Sequence, residues 1–116
     1  MHHLAHSHLG VLWLEGRITD YGMNAVATMT ALKHLDVCAP GVTDQGVRGI
    51  SGLTGLEVLW LSNCQITDAS VELLSQFKFL RELAIGTTGI TAAGRARLHE
   101  LLPQCRLVED AATAGA

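Results

Sequence analysis

The stretch LEVLWLSNCQITD (residues 56–68) decides the fold, because related versions of it occur at four places along the chain. The other versions are LGVLWLEGRITD (residues 9–20), LKHLDVCAPGVTD (residues 32–44) and LRELAIGTTGIT (residues 80–91). Their starting positions, 9, 32, 56 and 80, are 23, 24 and 24 residues apart. Self-similarity at a fixed period of this length predicts stacked structural units that share one core.

Each version begins with a short strand pattern. Leu59 and Leu61 alternate with Val58, Trp60 and Ser62, which is the period of a β-strand with one buried side. We expect the strands of successive versions to lie side by side in parallel, about 4.8 Å apart. The inward residues then form the core, and the outward residues form columns across the sheet.

The turn after each strand carries an Ile or Val followed by Thr, and in three versions by Asp. An Asp at the start of a helix can accept hydrogen bonds from the free backbone N–H groups. We therefore expect Asp20, Asp44 and Asp68 to cap the helices that follow, and Thr91 to substitute in the fourth version, where Ala92 replaces Asp.

The segments between the versions alternate at helical spacing. The second is rich in glycine (Gly46, Gly49 and Gly52), which disfavours helix, so a short or irregular helix is expected there. Pro103 ends the last helix, and residues 104–108 resemble a truncated fifth strand. The expected organisation is a flexible His-rich segment over residues 1–8, a repeat domain over residues 9–108 and a flexible tail over residues 109–116.

These motifs resemble the leucine-rich-repeat superfamily, especially the short bacterial and cysteine-containing types with an Ile-Thr-Asp turn. The resemblance implies an α/β solenoid: a right-handed arc with a parallel sheet on its concave face and short helices on its convex face. In that family an Asn commonly closes the strand and forms an amide ladder. Here Pro40, Cys64 and Thr88 occupy the corresponding positions, so a continuous amide ladder is not expected.

Solenoids need polar caps, because each end otherwise exposes apolar surface. Only eight residues precede the first repeat. We therefore expect either a fragment of a longer array, or a first repeat that tolerates exposure or is covered by a partner or a second copy.

Composition excludes several classes of function. The formal net charge of −3 argues against nucleic acid, which requires a basic surface. No apolar run approaches the roughly 20 residues of a membrane span. Three cysteines form no CxxC pair and leave an odd count, which favours reduced thiols and an intracellular compartment.

The outward positions supply the candidate binding site. The middle column contains Trp13, Asp36, Trp60 and Ala84, so both tryptophans of the chain fall on the face that solenoids use for binding. Exposed Trp is enriched in binding hot spots. The candidate residues of the concave face are Val11, Trp13, Glu15, His34, Asp36, Val58, Trp60 and Glu82. The alternative is that the tryptophans only cover neighbouring side chains.

Two arrangements invite a chemical interpretation. His34, Asp36 and Cys38 share a face, but His34 and Cys38 would be about 13 Å apart along an extended strand, beyond the reach of a nucleophile and its base. The N-terminal histidines His2, His3, His6 and His8 are weak candidate metal ligands, because a frayed terminus would form no fixed coordination geometry, and an unstructured or tag-like segment is the favoured interpretation. We expect no catalytic residues, metal or cofactor.

The sequence thus predicts a non-enzymatic module that binds a protein or peptide on its concave sheet. Trp13 and Trp60 would be the anchors, Asp36 and Glu82 would disfavour anionic partners, and protonation of His34 would modulate binding. One alternative is a structural subunit or fragment of a larger array, which would self-associate through the uncapped first repeat. Another is a substrate-recognition part of a ubiquitin-ligase-like complex, by analogy with cysteine-containing repeat proteins.

Overall fold

The chain is an α/β protein built on one sheet whose strands follow sequence order. The computed structural model describes residues 2–7 by their backbone and residues 10–108 in full. Within these ranges the sheet has six strands, and neighbouring strands are neighbours in sequence. They are β1 His2–Ser7, β2 Val11–Gly16, β3 His34–Cys38, β4 Val58–Ser62, β5 Glu82–Ala84 and β6 Arg106–Val108. Strands β2 to β6 are parallel, as expected.

The alternation of side chains in the strands is confirmed. In β4, Leu59 and Leu61 are fully buried, whereas Val58, Trp60 and Ser62 are only partly covered. The inward leucines join one core with apolar residues of the helices and turns. The core is almost entirely aliphatic and is completed by the ring of Phe77. Burial of these chains supplies the main driving force for folding.

Short helices connect the parallel strands. They are α1 Asp20–Val26, α2 Asp44–Gly49, α3 Val71–Leu74 and α4 Ala92–Leu101, with a 3₁₀ turn over Asp68–Ser70 before α3. The glycine-rich α2 is short, as its sequence predicts. After α4, the expected partial fifth strand is present as β6, paired with β5.

The N-terminal segment differs from expectation. Where a flexible segment was predicted over residues 1–8, His2–Ser7 form β1, which pairs antiparallel with β2 from His2 opposite Gly16 to Ser7 opposite Val11. The first strand of the parallel set is therefore not the edge of the sheet. The predicted flexible tail over residues 109–116 lies outside the described residues.

The role predicted for the three aspartates is wrong. At two of the three positions the preceding threonine is the cap: the hydroxyls of Thr43 and Thr67 accept from the backbone N–H groups of Gln45 and Ala69, two residues on. Thr19, which precedes Asp20, makes no such side-chain hydrogen bond. Thr91 does act as a cap, as expected, and accepts from the N–H of Gly94.

The aspartates instead bind the threonine 23 residues further along the chain. Asp20 accepts hydrogen bonds from the backbone N–H and the hydroxyl of Thr43, at 2.7 and 2.5 Å. The other two pairs, Asp44 with Thr67 and Asp68 with Thr91, repeat both bonds. We call these three pairs the Asp–Thr rungs. Each rung ties one strand–helix unit to the next.

A small residue lies beside each rung. A Cβ atom added to Gly46 would lie 2.6 Å from a carboxylate oxygen of Asp20, and one added to Gly94 would collide with the carboxylate of Asp68. At the equivalent position in the middle rung, the hydroxyl of Ser70 donates a third hydrogen bond to Asp44, at 2.6 Å. The spacing Thr-x-x-Gly/Ser therefore leaves room for the carboxylate of the preceding unit.

Candidate binding surface on the open face of the sheet

The face of the sheet opposite the helices, here called the open face, carries the predicted columns in register. Trp13 is aligned with Asp36, Asp36 with Trp60, and Trp60 with Ala84. The two tryptophans are thus two strands apart, about 10 Å at their backbones. The 23- and 24-residue spacings predicted this alignment correctly.

The two indoles differ in their surroundings. Trp60 is half-buried, and its indole N–H donates a 2.8 Å hydrogen bond to Glu82 on the next strand. Its ring also meets that of His34 edge-on, with centroids 4.5 Å apart and planes at 77°. A buried Trp that satisfies its N–H in this way is held in place by its neighbours. Trp60 therefore fits the alternative interpretation, in which it covers adjacent side chains.

Trp13 is exposed instead, with 55% of its surface accessible. A cavity of about 250 Å³ lies beside it, lined by Trp13, Leu14, Glu15, Asp36 and Cys38. We call this the Trp13 cavity. Cys38 is a lining residue that the sequence did not single out as part of the site, although its position in the outward column of β3 indicates the correct face.

Burial shifts the ionisation of the two titratable groups at the centre of the open face. Desolvation lowers the pKa of His34, and the nearby charges of Asp36 and Glu82 only partly oppose this effect. Desolvation also raises the pKa of Asp36; His34 opposes the shift and the negative charge of Glu15 adds to it. His34 is therefore neutral at neutral pH, and its buried Nε2 finds no hydrogen-bond partner among the described residues.

The remaining predicted residues lie around this centre. Val11 and Val58 are half-buried and flank His34 in the first column. Glu15 is exposed at the Trp13 cavity. The carboxylate of Glu82, in contrast, accepts the hydrogen bond from Trp60 and forms an ion pair with the guanidinium of Arg106, at 3.8 Å. Sequence reasoning missed Arg106, although adding the 24-residue period to Glu82 leads to it.

Among the residues with described side chains, the cysteines and histidines do not converge on a reactive centre. His34 and Cys38 occupy the two ends of β3, which separates their backbones by about 13 Å. Burial raises the pKa of both Cys64 and Cys105 to about 11, which keeps these thiols protonated and weakly nucleophilic. Across the part of the chain with described side chains, no group of three or more His, Cys, Asp or Glu residues is placed to hold a metal ion.

The predicted metal candidates are not placed by the structure. His2, His3 and His6 belong to β1, which is described by its backbone, and His8 lies outside the described residues.

A second cavity, of about 340 Å³, lies at the N-terminal end of the core. Its walls are mostly apolar and include Leu14, Ile18, Val26 and Met29. Tyr21 borders it with 86% of its surface accessible. We call this the end cavity. Strand β1 pairs with the edge of β2, but the helix side of the first unit still has an open apolar recess.

Among the helices within the described ranges, none has the length and apolar character needed to cross a bilayer. A search of protein-family models finds no match for the chain, and a search of curated proteins finds none either.

Proposed function

We propose that the chain is a leucine-rich-repeat solenoid that acts as a non-enzymatic interaction module. In this proposal the sheet forms the inner, concave side of a right-handed arc, and the open face binds a protein or peptide. The four related sequence versions, the parallel sheet in sequence order and the Asp–Thr rungs between successive units support the architecture.

The exposed indole of Trp13 beside a cavity is the observation that carries the functional proposal. An indole that is 55% accessible is costly to leave in water, and Trp is the residue most enriched among binding hot spots. Trp60 supports the site from the next-but-one strand, because Glu82 and His34 fix its ring. The anchor is therefore Trp13, with Trp60 as part of a rigid platform.

Other features agree with a binding role. The acidic net charge of −3 disfavours nucleic acid as the partner. The three cysteines are unpaired, which suits a reducing, intracellular compartment. Among the residues with described side chains, the thiols of Cys64 and Cys105 are buried and His34 is far from Cys38, so none of these groups forms an activated nucleophile, which supports a role in binding over catalysis.

The test is capture of partners from cell extract by the wild-type chain, Trp13→Ala and Phe79→Ala, quantified by mass spectrometry. Phe79 is a matched control because it is also a largely exposed aromatic residue, at 68%, and lies outside the open face. We expect the partners to be lost with Trp13→Ala and kept with Phe79→Ala. Equal capture by wild type and Trp13→Ala would refute binding through this face.

A second candidate function is self-association through the end cavity, which the apolar walls and the exposed Tyr21 favour. It would make the chain a structural subunit of a larger array or assembly. Sedimentation of the wild type should then show mass that increases with concentration, and Ala25→Glu, at an exposed position in the cavity wall, should abolish the increase. A wild-type mass that stays monomeric at high concentration would exclude this candidate.

A further inference from the structure

The Trp13 cavity has one aromatic wall and two acidic residues. Trp13 and Glu15 come from β2, and Asp36 and Cys38 come from the neighbouring strand β3. The register pairs Trp13 with Asp36 and Glu15 with Cys38, so each pair contributes one carboxylate and the indole lies directly opposite Asp36. This arrangement is fixed by backbone hydrogen bonds of the sheet rather than by loops.

The size of the cavity suits one side chain. Sites for drug-sized ligands enclose about 300–1,000 Å³. The Trp13 cavity encloses about 250 Å³ and opens on a sheet face, where an extended segment can lie across the strands. A single long side chain that projects from such a segment matches this volume better than a larger cofactor does.

The charge of the cavity selects the type of side chain. No Lys or Arg is among its lining residues, so within the described chain the walls hold two carboxylates and no compensating cation. Among the described residues, the ion pair of Arg106 with Glu82 lies at the other end of the sheet, on β5 and β6. The mutual repulsion of Glu15 and Asp36 also contributes to the raised pKa of Asp36. A bound cation would relieve that repulsion, whereas an anionic group would increase it.

We propose that the Trp13 cavity receives the basic side chain, Lys or Arg, of an extended peptide segment of a partner protein. The cationic head would lie between the carboxylates of Glu15 and Asp36, and its aliphatic stem would pack on the indole of Trp13. An indole face attracts a cation within about 6 Å of its centre, and desolvation strengthens the attraction. The inference rests on the proposed function and adds the chemistry of the partner.

The experiment uses the ¹⁵N-labelled full chain and pentapeptides of the form acetyl-Gly-Gly-X-Gly-Gly-amide. X is Lys, Arg, norleucine or Glu, and butylammonium is the free-amine probe. The indole N–H signals of Trp13 and Trp60 are assigned with Trp13→Phe and Trp60→Phe. We expect the Lys and Arg peptides to shift the Trp13 signal in a saturable, salt-sensitive way, and the norleucine and Glu peptides to leave it unchanged.

Matched variants test the carboxylates. Asp36→Asn and Glu15→Gln should each lower the affinity for the Lys peptide about two- to fivefold, the range for a partly exposed ion pair. Glu100→Gln removes the same charge from an exposed site on α4 and should leave the affinity unchanged. An unaltered circular-dichroism spectrum confirms that each variant is folded.

Three results would overturn the inference: no shift with the Lys and Arg peptides, undiminished binding by both carboxylate variants, or an equal effect of the norleucine peptide. Equal potency of butylammonium and the Lys peptide would show that the cavity takes a free amine, against the peptide proposed here. If capture of partners is lost with Trp13→Ala but is unchanged with Asp36→Asn and Glu15→Gln, only this inference is contradicted. If capture of partners is unchanged with Trp13→Ala, the proposed function itself is contradicted.

Discussion

The carboxylate of Asp44 accepts hydrogen bonds from the backbone N–H and the hydroxyl of Thr67, at 2.9 and 2.7 Å, across 23 residues of sequence. Ser70 adds a third donor to the same carboxylate. Asp68 makes the same two bonds to Thr91, but there is a glycine, Gly94, at the position of Ser70. The middle rung therefore has one more hydrogen bond than the last one.

The extra hydrogen bond predicts that the Asp44 rung contributes more to the free energy of unfolding than the Asp68 rung does. Hydrogen bonds to charged groups contribute about 1.5–3 kcal/mol each when buried and less when water can replace them. We expect Asp44→Ala to lower the free energy of unfolding by about 1–2 kcal/mol and Asp68→Ala by less. Urea unfolding followed by circular dichroism measures both, with Glu100→Ala as the control. An Asp44→Ala variant as stable as the control would show that the rung contributes nothing.

The small residues beside the rungs predict an unusual response to Gly→Ala. In most helices this change stabilises by up to about 1 kcal/mol. Gly46→Ala should instead destabilise, because the new methyl group would lie 2.6 Å from the carboxylate of Asp20 and 2.9 Å from Val42. Gly52→Ala is the matched control, since a Cβ there meets nothing within 4 Å.

A double mutant separates the carboxylate from the rest of the packing. If Asp20 is the main obstacle, Gly46→Ala should cost less in an Asp20→Ala background than in the wild type. Equal costs in both backgrounds would assign the effect to the other close neighbours, Val42 and Met23.

Acid should weaken the rungs. Burial by itself would raise the pKa of Asp44, but the hydrogen bonds from Ser70 and Thr67 outweigh it and hold the pKa below the ordinary value of 3.8. A carboxyl whose pKa is lower in the folded state contributes stability that is complete above the ordinary pKa and is lost as the pH falls through the lowered one. The difference in unfolding free energy between wild type and Asp44→Asn should therefore shrink below about pH 4.

Ionisation of Asp36 should affect folding stability in the opposite direction. Burial raises its pKa, so the ionised carboxylate opposes folding at neutral pH. Asp36→Asn should be more stable than the wild type at pH 7, and the advantage should disappear when acid protonates Asp36. A loss of stability with Asp36→Asn at pH 7 would contradict the direction of the pKa shift.

The thiols should differ in accessibility. Cys64 and Cys105 are buried and their pKa values are raised to about 11, whereas Cys38 is half-exposed at the Trp13 cavity. Maleimide at pH 8 should label Cys38 in the native protein and the other two only after unfolding, as peptide mass spectrometry can establish. Native labelling of Cys64 would contradict the described core.

Much of the sheet could be predicted because it depends on local alternation and on the repeat period. The period alone aligned Trp13, Asp36 and Trp60 across three strands. The roles of Asp20, Asp44 and Asp68 could not be predicted in this way, because the rule for helix caps considers only neighbours in sequence. The threonine that donates hydrogen bonds to each aspartate lies 23 residues further along the chain. It comes within reach only when the units stack.

The difference between the two tryptophans was also beyond the sequence. Both occupy equivalent positions in nearly identical stretches, yet Glu82 and His34 hold Trp60, while Trp13 remains exposed next to β1. Strand β1 itself was missed because a short His-rich segment has little strand pattern, and its pairing depends on the edge that β2 offers. Side-chain partners of this kind require the folded chain.

Each Asp–Thr rung connects two successive units through one residue from each. The segment from Asp44 to Thr67 begins with a carboxylate and ends with the threonine that binds it, so it contains both halves of one connection. A tandem duplication of these 24 residues would leave the outer joints, Asp20 with Thr43 and Asp68 with Thr91, intact. The duplicated segment would bring its own joint and add another Trp to the middle column. We therefore expect that the sheet can be lengthened by protein engineering one 24-residue segment at a time, and that the open face would grow with it.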